Sequence, residues 1–460
     1  MTVPVGLPGR DEGEIAVIGL ARSGRAVAKL LRKYGYNVYA SDAATTPDVA
    51  GCADELRSLG IATQLGGHDL ERVARVKLLV ISPGVPPAAP PVALARDQGI
   101  EVVSEVEVAL RFLPDCRIVA VTGTNGKTTT TALIAHILKR LSGDAIEAGN
   151  IGTALSEIAL AGRTPEWIAL EMSSFQLHDT PGLRPLVGVL TNLSPDHLDR
   201  YASVEEYYAD KARLFSRADS SSRWVVNGDD ERVLEMVEGV AGERHAFSLR
   251  RTSEAFYDER RDQLMLLGEP LMPRSRFPLL GRHNVGNALA ASLAVAVADP
   301  SHQTREARLE IAGALETFRA LPHRLEVVGE FSGVQWINDS KATNVGSTAV
   351  AIEGMERPTV LLLGGRHKGE PYGPLLSVMR RTVKKVIAYG EAAPLIERDL
   401  GGGIAMEVRG ADFDEVVGAA RTAAVSGDAI LLSPACSSYD MFANYEERGD
   451  RFRSLASAQP

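Results

Sequence analysis

Short apolar runs alternate along the chain with stretches in which apolar residues recur every three or four positions. Runs rich in Val, Ile, Leu and Ala predict buried parallel strands, and the three- and four-residue spacing predicts helices between them. This repeated alternation predicts an α/β protein. The predicted strands cover residues 14–18, 37–40, 77–81, 118–121, 167–170, 187–192, 224–226, 326–328, 334–338, 359–363, 385–389 and 429–432.

Three domains are expected, because a chain of 460 residues is too long for one hydrophobic core. We predict a Rossmann-like N-terminal domain over residues 1–104, a central P-loop ATPase-type α/β domain over 105–320, and a Rossmann-like C-terminal domain over 321–460. Residues 231–278 have the least regular pattern and are predicted to form a small strand-rich insertion.

The strongest local signal follows the predicted strand 118–121. The chain there reads Thr122-Gly123-Thr124-Asn125-Gly126-Lys127-Thr128-Thr129 and then enters a helix. In such a turn, backbone N–H groups face nucleotide phosphates, the lysine bridges them, and the hydroxyl after it can hold Mg²⁺. Val121 stands where the usual motif has its first glycine, so an ordinary turn that contains a lysine is the alternative.

The first strand also ends in a glycine-containing turn, residues 19–24, and Asp42 follows the second strand. This arrangement is typical of a dinucleotide-binding opening. However, Ala21 replaces the glycine that lets the backbone approach a pyrophosphate, so a UDP-sugar fits at least as well as NAD. The loop 82–87 is either a ligand loop at a strand end or a plain turn.

Acidic residues mark further strand ends in the central segment. Glu171 follows the strand 167–170, where a carboxylate beside a phosphate loop is suited to Mg²⁺. The loop 193–201 contains two aspartates and His197, which favours a metal and substrate site. Lys211, on the next predicted helix, is by itself most simply a solvated lysine.

Polar residues in the second half of the chain leave two interpretations open. Asn284 and Asn287 share one face of an alanine-rich helix, where their amides either contact an adenine or cap the helix. The segment 339–347 combines an aspartate, a lysine and hydroxyls after a strand, which suits phosphates and a carboxylate substrate. Cys436 has no histidine near it in sequence and is interpreted as a buried small residue.

Composition narrows the classes of function. The formal net charge is −9 without a basic tract, which argues against nucleic acid or an anionic membrane as a partner. No apolar run approaches the roughly 20 residues of a membrane span, and residues 1–13 lack the pattern of a secretory signal. The three cysteines are far apart, as is typical of a reduced cytosolic protein. We expect a cytoplasmic monomer without membrane insertion.

Together these segments resemble the Mur ligases, which build the peptide stem of bacterial peptidoglycan. The phosphate loop and the acidic loops are also shared by the wider superfamily, which includes folylpolyglutamate synthases. Two later segments are more specific to the members that add D-glutamate, and the Asp-Asn-Pro-Arg signature of diaminopimelate-adding relatives is absent. The matching segments are 122–130, 149–152, 171–176, 191–201, Lys211, 281–287 and 322–324, with 338–347 and 432–449 as the more specific ones.

The resemblance implies an enzyme of the bacterial cytoplasm that uses ATP and two Mg²⁺ ions. It implies that ATP phosphorylates the carboxylate of UDP-N-acetylmuramoyl-L-alanine and that the amine of D-glutamate attacks the resulting acyl phosphate, giving ADP and phosphate. The sequence departs from the family pattern in two places. Ala43 and Ala44 follow Asp42 where relatives can carry polar residues toward the uracil, and Tyr445 stands where a relative carries phenylalanine.

The resemblance also implies a role for individual residues. The catalytic residues would be Lys127, Glu171, His197 and Lys211. ATP would contact Gly123, Thr124, Asn125, Gly126, Lys127, Thr128, Thr129, Asn284, Asn287, Arg324 and Asp339. Magnesium would be held by Thr128, Glu171, His197 and a carbamylated Lys211. The UDP-sugar would contact Arg22, Ser23, Asp42, Ser82, Asn150, Gln176 and His197. D-Glutamate would contact Lys341, Thr343, Lys368, Ser438 and Tyr445.

Other classes of protein compete with this interpretation. An NAD-dependent oxidoreductase would leave the phosphate loop unexplained, and a nucleotide-dependent binding protein would not need lysine-bearing loops in a third domain. The Rossmann-like first hundred residues argue against a folylpolyglutamate synthase-like enzyme. A Mur ligase with another amino-acid specificity is the remaining alternative.

Overall fold

The computed structural model describes residues 6–113, 116–196 and 200–458. The chain divides into two compact units, Met1–Pro273 with Asn287–Leu315, and Arg274–Gly286 with Glu316–Pro460. The described residues contain three β-sheets with helices between many of their strands, as the predicted α/β fold class requires. The two boundaries between the three predicted domains, near residues 104 and 320, stay predictions.

The first sheet has the Rossmann-like strand order β3-β2-β1-β4-β5, and its pairings are parallel. The strand predicted at 77–81 is its fourth. The sequence pattern missed β3 and β5, because each is four residues long and only partly apolar. The elements are β1 Glu14–Ile18, α1 Arg22–Lys33, β2 Asn37–Asp42, α2 Pro47–Ser58, β3 Ala62–Leu65, α3 Leu70–Val73, β4 Leu78–Ile81, α4 Pro90–Asp97 and β5 Glu101–Ser104.

The central segment forms a larger sheet. Its elements are α5 Glu105–Arg111, β6 Arg117–Thr122, α6 Lys127–Ser142, β7 Ala145–Gly149, α7 Leu155–Ala161, β8 Trp167–Glu171, α8 Ser174–His178, β9 Val187–Leu190, α9 Val204–Ala212, β10 Arg223–Asn227, α10 Glu231–Met236, β11 Glu243–Ser248, β12 Ala255–Asp258, β13 Gln263–Leu266, β14 Glu269–Pro273, α11 Arg282–Ala298 and α12 Arg305–Thr317. Short 3₁₀ turns occupy Arg213–Phe215, Arg274–Arg276 and Pro300–Gln303.

The strand order of the central sheet is β14-β13-β12-β11-β10-β9-β6-β8-β7. The strands from β7 to β12 pair in parallel, and β13 and β14 are antiparallel additions. Residues 231–278 are therefore rich in strands, as predicted, and those strands continue the central sheet at its edge.

The last sheet has the order β15-β16-β20-β17-β18-β19. The predicted pairing of β15 with β16 is confirmed as antiparallel, and the remaining pairings are parallel. The elements are β15 Glu326–Phe331, β16 Val334–Asn338, α13 Val345–Glu353, β17 Thr359–Gly364, α14 Leu375–Met379, β18 Val383–Tyr389, α15 Ala393–Leu400, β19 Met406–Val408, α16 Phe413–Ala423, β20 Ala429–Leu432 and α17 Tyr445–Ser457.

Burial on both faces explains why these strands read as continuous apolar runs. In β17, Leu361 and Leu363 join one apolar cluster, while Val360 and Leu362 join a cluster on the other face. Because the carboxyl ends of parallel strands share one edge, the loops after β6, β8 and β9 meet at one edge of the central sheet. The loops after β16, β17 and β20 likewise meet at one edge of the last sheet.

In the portions of the chain that the structure describes, no helix has both the length and the apolar character needed to cross a bilayer.

Candidate functional site

The turn between β6 and α6 has a backbone that only glycine adopts without strain. Gly123 has φ +143° and Gly126 has φ +81°. A Cβ atom on Gly123 would lie 2.0 Å from Thr191 Oγ1, and one on Gly126 would lie 2.4 Å from Asn287 Oδ1. The turn is therefore packed tightly, with its N–H-rich end at the start of a 16-residue helix.

The loop after β9 holds this turn in place. Asn192 uses both ends of its amide on Asn125, since Oδ1 accepts from the backbone N–H and Nδ2 donates to the carbonyl, each at 2.9 Å. The backbone N–H of Thr124 donates to Asn192 O at 2.9 Å, and the Thr124 hydroxyl donates to Ser194 O at 3.0 Å. These supports orient the turn's backbone and were not predicted, because nothing in the local sequence links the two loops.

Two lysines meet at the first glycine of the turn. Lys127 Nζ donates to Gly123 O at 3.0 Å and to Thr124 O at 2.8 Å. Lys211 Nζ donates to the same Gly123 oxygen at 2.7 Å. The structure thus brings together two of the predicted catalytic residues.

The interpretation of Lys211 as a solvated lysine is wrong. Its side chain is 1% exposed, and its ammonium nitrogen lies 4.5 Å from the ring centre of Tyr207. Burial, together with the charge of Lys127, holds the pKa of Lys211 well below its usual value. Helical spacing missed this, because the buried face of α9 consists of polar residues, Tyr207, Asp210 and Lys211.

Glu171 lies at the end of β8, and only one of its two carboxylate oxygens accepts a hydrogen bond in the described structure. The side chain is 1% exposed, and Oε1 accepts from Asn150 Nδ2 at 2.7 Å. Oε2 is buried and has no hydrogen-bond partner among the described atoms. The like charge of Glu171 adds to burial in raising the pKa of Glu147. A buried anion with an open oxygen is suited to a cation.

The other predicted metal donors are placed less completely. Thr128 lies in the first turn of α6, one residue after Lys127. His197 lies outside the described residues. Within the described ranges there is no group of three or more His, Cys, Asp or Glu side chains arranged around a common point.

In the first sheet, two predicted residues brace the loop after β1. Asp42 Oδ2 accepts from the backbone N–H of Leu20 at 2.7 Å. The hydroxyl of Ser82 donates to Gly19 O at 2.8 Å. Asp42 and Ser82 therefore fix the backbone that precedes α1. Arg22 and Ser23 form the first two positions of that helix.

A cavity of about 370 Å³ lies between the first sheet's loops and the central segment. Its aromatic wall consists of Phe175 and Tyr201, whose rings stack at 5.2 Å with an interplanar angle of 11°. The Arg200 guanidinium lies 4.2 Å from the centre of the Phe175 ring. Ser82 and Gln176, both predicted to face a UDP-sugar, line this cavity.

The amide of Gln176 is only half satisfied. Oε1 accepts from the backbone N–H of Ser173 at 3.1 Å in a capping box at the start of α8. Nε2 is buried without a hydrogen-bond partner in the described structure. A buried donor of this kind costs stability unless an acceptor from a ligand or a water meets it.

In the second unit, Asp339 directly follows β16 and is buried. Its Oδ1 accepts from the N–H of Leu325 at 3.2 Å, and its Oδ2 accepts from the Ser433 hydroxyl at 2.9 Å. Burial raises the pKa of Asp339 to about 7. Arg324 lies between two residues with left-handed backbones, His323 at φ +63° and Leu325 at φ +44°. Such strain is concentrated at functional sites.

The two asparagines of α11 have separate local contacts. Asn284 Nδ2 donates to the backbone oxygen of Leu280 at 2.8 Å, which is not the capping contact, because a cap accepts from a backbone N–H. Asn287 Oδ1 accepts from the Thr130 hydroxyl at 3.3 Å, beside the glycine turn.

Most residues predicted for the amino-acid substrate meet in pairs. Lys368 Nζ donates to the Thr343 hydroxyl at 3.1 Å. Lys341 Nζ lies 3.7 Å from the ring centre of Tyr445. Ser438 is buried in the loop after β20.

Cys436 also lies in the loop after β20, and the prediction of a buried residue there is confirmed. Burial raises the pKa of the Cys436 thiol to about 11, which argues against a nucleophile.

Comparison with protein-family models gives three matches. The Mur ligase MurD-like N-terminal domain matches residues 13–104, the Mur ligase middle domain matches 121–295, and the Mur ligase glutamate ligase domain matches 323–436. The three matches lie in the same order as the three sheets.

Individual relatives agree with these matches. UDP-N-acetylmuramoylalanine–D-glutamate ligase from Anaeromyxobacter dehalogenans is 41% identical over 97% of this chain and 97% of that protein. Among solved structures, UDP-N-acetylmuramate–alanine ligase from Thermotoga maritima has a TM-score of 0.62 at 19% identity, over 97% of this chain and 100% of that chain. MurF ligase from Thermotoga maritima in complex with ADP has a TM-score of 0.59 at 16% identity, over 96% and 94%.

Proposed function

The chain belongs to the Mur ligase family, and we propose that it joins D-glutamate to UDP-N-acetylmuramoyl-L-alanine at the expense of ATP. The observation that carries this proposal is the 41% identity, over nearly the whole of both chains, to a ligase named for these substrates. The bacterial cytoplasm is the proposed location, and a monomer is the proposed form, which light scattering can test.

The chemistry requires activation of a carboxylate, since the carboxylate itself has oxide as its leaving group. One carboxylate oxygen attacks the γ-phosphorus of ATP, and the bond to ADP breaks. The neutral amine of D-glutamate then attacks the acyl carbon, phosphate leaves with the C–O electron pair, and the amine nitrogen loses a proton. No protein nucleophile is needed, so catalysis consists mainly of positioning and neutralising charge.

The glycine turn supports the assignment of the triphosphate site. Its backbone is braced by Asn192, and Lys127 lies across its carbonyl oxygens, from which the ammonium can turn to phosphate. The proposed ATP contacts are Gly123, Thr124, Asn125, Gly126, Lys127, Thr128, Thr129, Asn284, Asn287, Arg324 and Asp339.

The donor set at Glu171 fits Mg²⁺, because a buried carboxylate oxygen is open there. Thr128, Glu171 and His197 would hold the metal, and bound Mg²⁺ would neutralise phosphate oxygens. Two ions are proposed, with a carbamylated Lys211 as a further oxygen donor. Its lowered pKa supports this modification, because only the neutral amine reacts with CO₂.

Two groups of residues are proposed for the other substrates. The half-satisfied Gln176 and the cavity beside it support a site for the UDP-sugar. Lys368 and Lys341 supply the cations that two carboxylates need. The UDP-sugar would contact Arg22, Ser23, Asp42, Ser82, Asn150, Gln176 and His197, and D-glutamate would contact Lys341, Thr343, Lys368, Ser438 and Tyr445.

The test is phosphate release from ATP in the presence of UDP-N-acetylmuramoyl-L-alanine and a panel of D- and L-amino acids. We expect release with D-glutamate well above that with L-glutamate, diaminopimelate or lysine. Preference for another amino acid would assign a different specificity within the family. Release that does not depend on the UDP-sugar would contradict the proposal.

A further inference from the structure

Three side chains form a hydrogen-bonded chain beneath the loop after β17. His367 Nδ1 lies 2.9 Å from the hydroxyl of Tyr372, and that hydroxyl lies 3.0 Å from Cys436 Sγ. Tyr372 is 1% exposed and Cys436 is fully buried, while His367 is half-buried. Sequence spacing did not indicate this chain, because Cys436 and Tyr372 are 64 positions apart.

The hydrogen bonds from His367 through Tyr372 to Cys436 join two loops that carry proposed D-glutamate contacts. His367 precedes Lys368 directly, and Cys436 lies two residues before Ser438. The backbones of the same loops form an isolated bridge, in which Arg366 N–H donates to Ser437 O at 2.8 Å and Ser437 N–H donates to Arg366 O at 3.1 Å. The loops after β17 and β20 are thus attached by backbone on one side and by side chains on the other.

The loop after β17 needs such attachments, because residues 367–371 have no helix or strand hydrogen bonds of their own. Gly369, directly after Lys368, has φ +91°, and a Cβ atom added to it would meet nothing within 4 Å. On its far side the loop is fixed by Tyr372 N–H, which donates to Asp399 Oδ2 at 3.0 Å, and by Glu370 Oε2, which accepts from Val345 N–H at 3.0 Å.

The thiol and the phenol act here as hydrogen-bonding groups. Burial raises the pKa of Cys436 to about 11, and burial also raises the pKa of Tyr372 above its ordinary value. Both groups therefore keep their protons near neutral pH, and a thiolate or phenolate is not part of the arrangement. These hydrogen bonds fix the position of the His367 imidazole, and with it the backbone between His367 and Lys368.

We propose that His367, held through Tyr372 to Cys436, is a positioning residue that sets Lys368 against a carboxylate of the acceptor amino acid. The inference rests on the proposed function, since it assigns Lys368 to D-glutamate. A side chain fixed before the substrate arrives loses less conformational freedom on binding, so the arrangement acts on affinity for the amino acid and not on phosphoryl transfer.

The test is steady-state kinetics of His367→Ala and Tyr372→Phe in the full chain. Each variant should raise the KM for D-glutamate about threefold to tenfold, as expected for one lost hydrogen bond, with kcat and the KM for ATP within about twofold of the wild type. The double variant should show no larger effect than either single variant, because each substitution already removes the hydrogen bond between His367 and Tyr372. His367→Asn, which keeps a polar atom near the position of Nδ1, should restore most of the affinity.

Tyr439→Phe is the matched control, since Tyr439 is 62% exposed in the same loop as Cys436 and loses only a hydroxyl. An unchanged KM for D-glutamate in both single variants would overturn the inference. Equal rises in the KM values for D-glutamate, ATP and UDP-N-acetylmuramoyl-L-alanine, together with a lower melting temperature, would also overturn it. That result would show that the role of His367 and Tyr372 is purely structural. Failure of the wild type to use D-glutamate is a separate result, which would contradict the proposed function before any variant is made.

Discussion

The side-chain amines of Lys127 and Lys211 donate to one acceptor, the carbonyl oxygen of Gly123, at 3.0 and 2.7 Å. Two ammonium groups on one oxygen repel each other, and the buried one gives up its charge more readily. Burial is the main cause that holds the pKa of Lys211 well below its usual value, and the charge of Lys127 on the same oxygen adds to it. Lys211 is therefore the member of the pair whose amine is open to modification, while Lys127 lies on the glycine turn proposed for phosphate.

Lys127→Ala should lower the rate of phosphate release by about a hundredfold or more, because it removes a positive charge from the transferring phosphoryl group. The fold should be retained, since the hydrogen bonds of Lys127 to Gly123 O and Thr124 O lie within its own turn. Lys139→Ala, at the exposed end of the same helix, should keep near-normal turnover. Near-normal turnover of a well-folded Lys127→Ala would contradict the assignment of the glycine turn.

Lys211→Ala should be nearly inactive and should regain activity with acetate or another short carboxylate, which supplies the oxygens of the missing carbamate. The wild type should lose activity when CO₂ and bicarbonate are removed and recover when bicarbonate is added. Because the pKa of Lys211 is lowered, this recovery should already occur near neutral pH, where an exposed lysine stays protonated. Full activity of the unrescued variant would rule out a role beside the metal.

Lys368→Ala should raise the KM for D-glutamate roughly tenfold or more, which corresponds to a charge-assisted contact of about 1.5–3 kcal/mol. The KM for ATP should change little. Lys385→Ala is the control, because Lys385 is a half-buried lysine of β18 that pairs with Glu407 of β19, outside the loops proposed for D-glutamate. A variant that weakens ATP and spares D-glutamate would show that the last domain is misassigned.

Glu105→Gln should change how stability depends on pH. Burial raises the pKa of Glu105 from 4.5 to about 7, so its stabilising contribution is complete below pH 4.5 and is lost as pH rises through 7. Relative to the variant, the wild type should lose up to about 3 kcal/mol between pH 5 and pH 8, at about 1.4 kcal/mol per pKa unit.

Chemical denaturation at both pH values measures this difference, and comparison with the variant cancels other titrating groups such as Asp339. Glu238→Gln, at an exposed position, should follow the pH dependence of the wild type. Parallel curves for the wild type and Glu105→Gln would contradict the expected shift.

Much of the fold could be predicted from the sequence, because strands buried on both faces must be apolar throughout. The runs at 118–121, 359–363 and 429–432 each became a central strand of a sheet. The strands that were missed, β3, β5, β7 and β19, are short and partly polar, so no local pattern separates them from turns. The glycine turn could also be predicted, because its backbone requires positive φ angles at positions 123 and 126, and the sequence has glycine at both.

The surroundings of the chemical groups were decided by tertiary structure alone. Lys211 lies 88 positions from Gly123, and its helix gives no sign that it is buried. The open oxygen of Glu171 and the contact of Tyr372 with Cys436 likewise depend on distant segments. Hydrophobic periodicity is a property of neighbouring residues, and it indicates only which face of a helix or strand is buried. The charge, pKa and partners of a buried polar group depend on whatever the folded chain places against it.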